Sequence, residues 1–133
     1  MDARGGSDSV VTVRIRRAAL ESALEAANNT YPDEFIGIFR GKKEEDGASL
    51  TELIIAPFST YGDGFSSYSD YHIPANVGAL ASFHSHPHPP ALPSKGDLQF
   101  FSRSLPFHII SCPPFDGANA FDSRGKKIAL EVV

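Results

Sequence analysis

Between residues 10 and 15 apolar and polar side chains alternate, with Val11, Val13 and Ile15 on one face, the period of a short strand. From Ala18 the period lengthens. Leu20, Ala23, Leu24 and Ala27 fall at i, i+3, i+4 and i+7, which predicts an amphipathic helix. Asn28-Asn29-Thr30 end it, and Pro32 blocks any continuation. Glu34 then opens an unbroken apolar run to Phe39, the pattern of a central strand buried on both faces. Gly41 to Ser49 reads as a charged turn, with Leu50 to Pro57 as the returning strand of a hairpin. Residues 59–72 read as an irregular loop, with a short strand around Tyr71–Ile73. Pro74 to Leu80 has room for no more than two helical turns.

Ala79 to His84 is the next expected strand. Pro89, Pro90 and Pro93 follow it and exclude regular structure, because each fixes φ and removes a donor. That stretch must be a loop on a defined path. Ser94 and Asp97 have the spacing of a helix N-terminus, with Leu98, Phe101 and Leu105 continuing an apolar stripe. Phe107 to Cys112 predicts another core strand, Pro113 to Asn119 a turn. Ala120–Phe121 and Lys127–Val133 form a closing pair. The expected fold class is α+β: a single curved mixed sheet flanked by two longer helices.

Length then limits domain count. A chain of 133 residues holds one domain, read as residues 10–133 behind a polar, glycine-containing leader at 1–9 expected to be disordered. At 41% hydrophobic it can bury a core. A single cysteine permits no internal disulfide and no cysteine-rich zinc cage. No apolar run approaches the roughly 20 residues of a membrane span, so a soluble, cytoplasmic protein is expected, with no membrane partner. The net charge of −4 and the scattered Lys and Arg argue against nucleic acid as a partner.

The chemistry concentrates in one segment. His84-Ser85-His86-Pro87 supplies two imidazoles two residues apart at a strand end, so both point to one face while Ser85 points to the other. Asp97, in the first turn of the following helix, is returned to that face by the proline loop. Two histidines and a carboxylate are the donor set of a catalytic zinc that keeps its fourth position for water. Zinc lowers the pKa of that water to about 7, and a neighbouring carboxylate can accept and return the proton. Glu34 opens an apolar strand, where a charge needs a reason.

The run His84, Ser85, His86, Pro87, six residues, Ser94, two residues, Asp97 resembles the signature of the JAMM (MPN+) zinc metalloproteases. Their upstream Pro-x-Glu-x-x-Gly segment is matched by Pro32, Glu34 and Gly37. The order of elements is similar over nearly the whole chain after residue 10, most of all to the compact stand-alone archaeal and bacterial members. The resemblance implies a cytidine-deaminase-like MPN/JAMM fold and one zinc per chain, held by His84, His86 and Asp97. Glu34 would hold and deprotonate the zinc-bound water, and Ser94 would donate a hydrogen bond to the oxyanion. The implied reaction is hydrolysis of a peptide or isopeptide bond at the C-terminus of a ubiquitin-like or sulfur-carrier protein or its conjugates. Two features depart from the family. Residues 74–80 are shorter than the helix many members carry there, and the chain has no room for the insertions with which larger deubiquitinases grip ubiquitin chains.

Other readings compete residue by residue. Ser94 and Asp97 also form an ordinary capping box. Asp33 reads as a solvated turn residue, His88 as an exposed loop histidine or rim contact, His72 as a loop histidine and His108 as a core-edge one. Cys112 reads as packing. A non-catalytic MPN-type scaffold is the rival function, distinguished by the absence of zinc. A zinc nucleobase deaminase needs a paired Cys ligand that a lone Cys112 does not supply. A DNA-repair-associated relative would need a basic surface. Nothing in the chain specifies an oligomeric state or an activating partner.

Overall fold

The computed structural model describes residues 10–54, 78–101 and 105–133. The expected leader at 1–9, loop 59–72 with His72, strand at Tyr71–Ile73 and most of segment 74–80 lie outside them. Seven strands and two helices are described: β1 (Thr12–Ile15), α1 (Arg17–Thr30), β2 (Ile36–Glu44), β3 (Gly47–Ile54), β4 (Ala79–Ser85), α2 (Lys95–Phe101), β5 (Phe107–Ser111), β6 (Asn119–Asp122) and β7 (Lys127–Val132). The sheet is mixed, as expected, in the order β1-β3-β2-β4-β5-β6-β7. It goes one step further than a curved sheet. β1 pairs in parallel with both β3 and β7, so the two ends meet and the sheet closes into a barrel.

Helix α1 buries Ala19, Leu20, Ala23 and Ala27 on one stripe, with Leu24 half-buried beside them. This is the face that the sequence period predicts. It packs on a core that includes Val13, Ile15, Leu50, Phe83 and Ile109. A second, smaller core joins Ile36, Ile38, Phe100, Phe101, Ile110 and Phe121, and fixes α2 against the sheet.

The hairpin corrects the expected turn at 41–49. β2 runs through Glu44 and β3 begins at Gly47, so only Glu45 and Asp46 connect them. Glycine explains how the strands continue. A Cβ at Gly41 would lie 1.9 Å from the Ser49 carbonyl oxygen, so only glycine permits that approach beside the bulge at Arg40/Gly41. Of the charges expected in a turn, Lys42, Lys43 and Glu44 instead stand on the outer end of β2, and only Glu45 and Asp46 remain in the turn. Asp46 receives a paired hydrogen bond from the Arg14 guanidinium at 3.1 and 3.0 Å, which holds its carboxyl below the usual range.

Two smaller expectations hold only in part: Val13, Ile15, Phe101 and Leu105 face the cores as expected, but the first member of each stripe does not. Val11 stands before β1 and is exposed, while Thr12 is buried. In α2 the buried apolar pair is Phe100 and Phe101, whereas Leu98 is 41% exposed. The stripe is set by the adjacent phenylalanines reaching the second core.

Candidate active site

β4 leads straight into the candidate residues. It lies between β2 and β5, pairing antiparallel with the first and parallel with the second. His84 pairs with Ile36 and Ile110, deep in the sheet, and is 1% exposed. Ser85 points to the other face, as strand alternation requires. Its Oγ accepts the Phe35 N–H at 2.7 Å, and its own N–H donates to the Phe35 carbonyl at 3.0 Å. These bonds extend the β2–β4 pairing past Ile36 and hold Glu34 beside the end of β4. Glu34 stands just ahead of β2 rather than within it.

His86 continues past the strand, with its N–H on the Ser111 carbonyl at 2.8 Å. The loop through Pro87–Pro93 is pinned by Asn119, whose side-chain amide donates to the Ala91 carbonyl at 3.0 Å. Sequence reading gave Asn119 no role. A polar residue at the start of a core strand, facing a proline loop short of donors, was the available signal.

The loop delivers α2 so that Asp97 reaches His86. Asp97 Oδ2 lies 2.9 Å from His86 Nε2 and accepts the Ser94 N–H at 2.8 Å. The Asp97 N–H in turn donates to Ser94 Oγ at 3.1 Å. Ser94 and Asp97 therefore form a reciprocal capping box, and Asp97 meets His86 with the same oxygen. The capping box and the contact to His86 thus coexist on one carboxylate. Ser94 stays exposed, and its oxygen accepts the capping bond while its proton remains to donate elsewhere.

Electrostatics follow this geometry. The hydrogen bond that His86 donates to Asp97 raises the pKa of His86 against the effect of its burial, with Asp97 and Glu34 adding negative charge. Burial opposes ionisation of Asp97, but His86, the Ser94 amide and the charge of His84 outweigh it, and its pKa falls. Burial raises the pKa of Glu34, with His86 opposing and Asp97 reinforcing the shift. Burial lowers that of His84 to about 4, with Asp97 opposing and His86 reinforcing. Glu34 and His84 thus each sense the His86–Asp97 pair.

They do not all point to one centre. His84 Nε2 lies 3.1 Å from Ser82 Oγ, with its ring edge-on to Phe100 at a centroid distance of 5.3 Å. As the side chains stand, no three His, Cys, Asp or Glu among the described residues are gathered closely enough to hold a metal ion. His86 and Asp97 converge; His84 lies in the same field but faces along the sheet. The donor chemistry of the set, two imidazoles and a carboxylate with a second carboxylate alongside, fits zinc.

Of the residues given bland readings, Asp33 and His88 are exposed and Cys112 is half-buried. His108 is not at the core edge. It is 0% exposed, its ring stacked on Phe101 at 3.8 Å. β5, expected as a core strand, lies between β4 and β6 with every residue buried, His108 included.

The family model for prokaryotic homologues of the JAB domain matches residues 16–123. The chain belongs to that family. A Haloferax volcanii protein named a probable metalloprotease is 35% identical to this JAB-domain chain over 130 residues, covering 91% of it and 80% of the relative. A JAB1/MPN domain protein from Archaeoglobus fulgidus is 34% identical with a TM-score of 0.71, covering 90% of this chain and 98% of that one. A structure described as JAMM, a metalloprotease-like zinc site in the proteasome and signalosome, is 32% identical with a TM-score of 0.68, covering 92% and 98%. The fold is accordingly the JAB1/MPN fold. No helix among the described residues is long and apolar enough to cross a membrane.

Proposed function

We propose that this JAB-domain chain is a zinc metalloprotease that hydrolyses peptide or isopeptide bonds at the C-terminus of a ubiquitin-like or sulfur-carrier modifier. The carrying observation is the His86–Asp97 pair, joined at 2.9 Å, inside the electrostatic reach of Glu34 and His84. Two potential donors that hydrogen-bond each other already face a common point. The proton between them stands where a cation would compete.

His84, His86 and Asp97 would hold one zinc per chain. When bound, zinc supplies Lewis acidity and makes a water nucleophilic near neutral pH. The rest falls to the chain's own groups. Glu34, its pKa raised by burial, takes a proton from the attacking water and returns it to the leaving amine. Ser94, exposed at the loop end, donates its hydroxyl proton to the oxyanion. The proline loop and Asn119 hold Ser94 and Asp97 in register with β4. The enzyme would work in the cytoplasm on protein conjugates, with neither nucleic acid nor membrane as partner.

One observation favours the rival scaffold reading: the His84 ring faces Ser82 rather than the other two donors. Zinc content separates the two. Incubating the purified chain with tagged small modifier conjugates from its own host, with and without a chelator, tests the activity. Chelator-sensitive cleavage after the modifier's last residue, read by mass, is expected. Zinc-free protein that leaves every conjugate intact would favour the scaffold.

A further inference from the structure

Two strands that carry none of the candidate donors hold the segment that does. β5 and β6 pair as far as Ile110 and Asn119, and residues 112–118 join them. Ser111 lies at the mouth of that turn and is 0% exposed. Its carbonyl accepts the His86 N–H at 2.8 Å. Its hydroxyl donates across the turn to the Gly117 carbonyl at 2.6 Å. Asn119 begins the strand on the far side, where alternation puts it on the face of Phe121 and the second core. From that face its amide donates to the Ala91 carbonyl at 3.0 Å.

Ala91 is a point at which the proline loop can be gripped. Four of the seven residues 87–93 are prolines with no N–H to give, so the loop is tied down mainly through its carbonyls and its packing. Ala91 supplies both, since its side chain rests on the second core. Only Leu92 and Pro93 separate it from Ser94, and Pro93 stiffens that step. Both ends of the segment are thus referred to one turn: His86 through the Ser111 carbonyl, and the Ser94–Asp97 box through Asn119. The Ser111 hydroxyl closes the turn between those two points. The 2.9 Å contact of His86 with Asp97 spans the same gap.

We propose that Ser111 and Asn119 are positioning residues: the β5–β6 turn sets the spacing between His86 and the Ser94–Asp97 box, with Ser111 acting through Asn119. The consequence for metal binding rests on the zinc reading of His86 and Asp97; the geometry does not.

The test uses the full chain, by NMR without metal and then with a chromophoric chelator competing for zinc. Asn119→Asp keeps the size of the side chain and sets an oxygen where the N–H stood. Overhauser contacts between the His86 ring and the Asp97 side chain should weaken in this variant. Those between Phe39 and Phe83 in the first core, with ring centroids 5.9 Å apart, should stay. Zinc affinity should fall about tenfold, the low end of what a lost outer support costs. Asn119→Ala, which removes the amide without adding charge, should do the same. Ser111→Ala should move both readouts in that direction, and added to Asn119→Asp it should cost nothing further, because coupled residues do not add. Additive losses would overturn the link from Ser111 to Asn119. Wild-type contacts and affinity in folded Asn119→Asp and Asn119→Ala would overturn the proposal, as would an equal loss of the Phe39–Phe83 contacts. Should Ser111→Ala not fold, the two variants at 119 decide. If the wild-type chain binds no zinc while its His86–Asp97 contacts still depend on Asn119, the zinc reading falls and the positioning stands.

Discussion

At the scale of single residues, the meeting of His86, Ser94 and Asp97 was legible because it depends on residue type and spacing. His84, His86, Ser94 and Asp97 stand within one strand, loop and helix start, and their backbone positions follow from local rules. Glu34 had to come from a distant strand, yet its charge at the head of an apolar run marked it. The ring orientation of His84 was not legible, since Ser82 and His108 reach it through strand pairing rather than sequence proximity. Glu34→Gln should retain stoichiometric zinc and lose cleavage, because it removes a base and not a donor. Metal analysis beside a cleavage assay checks both halves; undiminished cleavage would remove Glu34 from the mechanism. Ser94→Ala should lower kcat by about 10²–10³-fold if its hydroxyl serves the oxyanion. If Ser94 only caps α2, the change should cost about 1 kcal/mol of stability and leave kcat near that of the wild type.

At the scale of elements, periodicity found α1, β4 and β5 to within a residue or two and missed the length of the hairpin. Charged residues at 42–46 suggested a turn, but only Glu45 and Asp46 form it, since the outer end of β2 accepts the charges at 42–44 as readily. The start of β2 was read as Glu34 because pattern cannot separate a strand from the residues tied to its end. Ser85 makes that tie. Ser85→Ala leaves the buried Phe35 N–H without its 2.7 Å acceptor, a loss worth about 1–3 kcal/mol. Denaturant unfolding should show that loss, and cleavage should weaken as Glu34 loses its anchor. An unchanged midpoint would mean that the strand pairing survives without Ser85.

For the whole molecule, the mixed sheet was legible, but its closure was not. Pairing of β1 with β7 joins elements from opposite ends of the described chain, and no local pattern encodes such a contact. Packing of α2 on the sheet also buries two histidines beneath Phe100 and Phe101. Burial lowers the pKa of His84 to about 4 and, more strongly, that of His108 to about 3. Unfolded, both would titrate near 6.5. Below that pH the unfolded chain binds protons that the folded chain refuses, so stability falls as pH drops from about 6.5 toward 4. His86 acts in the opposite sense, since its raised pKa adds stability below 6.5 that is lost as pH rises. Glu34, its pKa raised by burial, acts in the same sense as His86, but only the two buried histidines are shifted far, so metal-stripped protein should become easier to unfold in urea between pH 6.5 and 4.5. His108→Asn should flatten that slope; an equally steep slope would mean His108 takes up protons without unfolding.

The central claim is that His84, His86 and Asp97 share one ion, and anomalous diffraction from zinc-soaked crystals addresses it most directly. The account predicts a single strong zinc peak about 2.0–2.2 Å from a nitrogen of each histidine and an oxygen of Asp97, with the Glu34 carboxylate beside it. A peak elsewhere, or His84 still turned to Ser82 with no peak between the three donors, would contradict it.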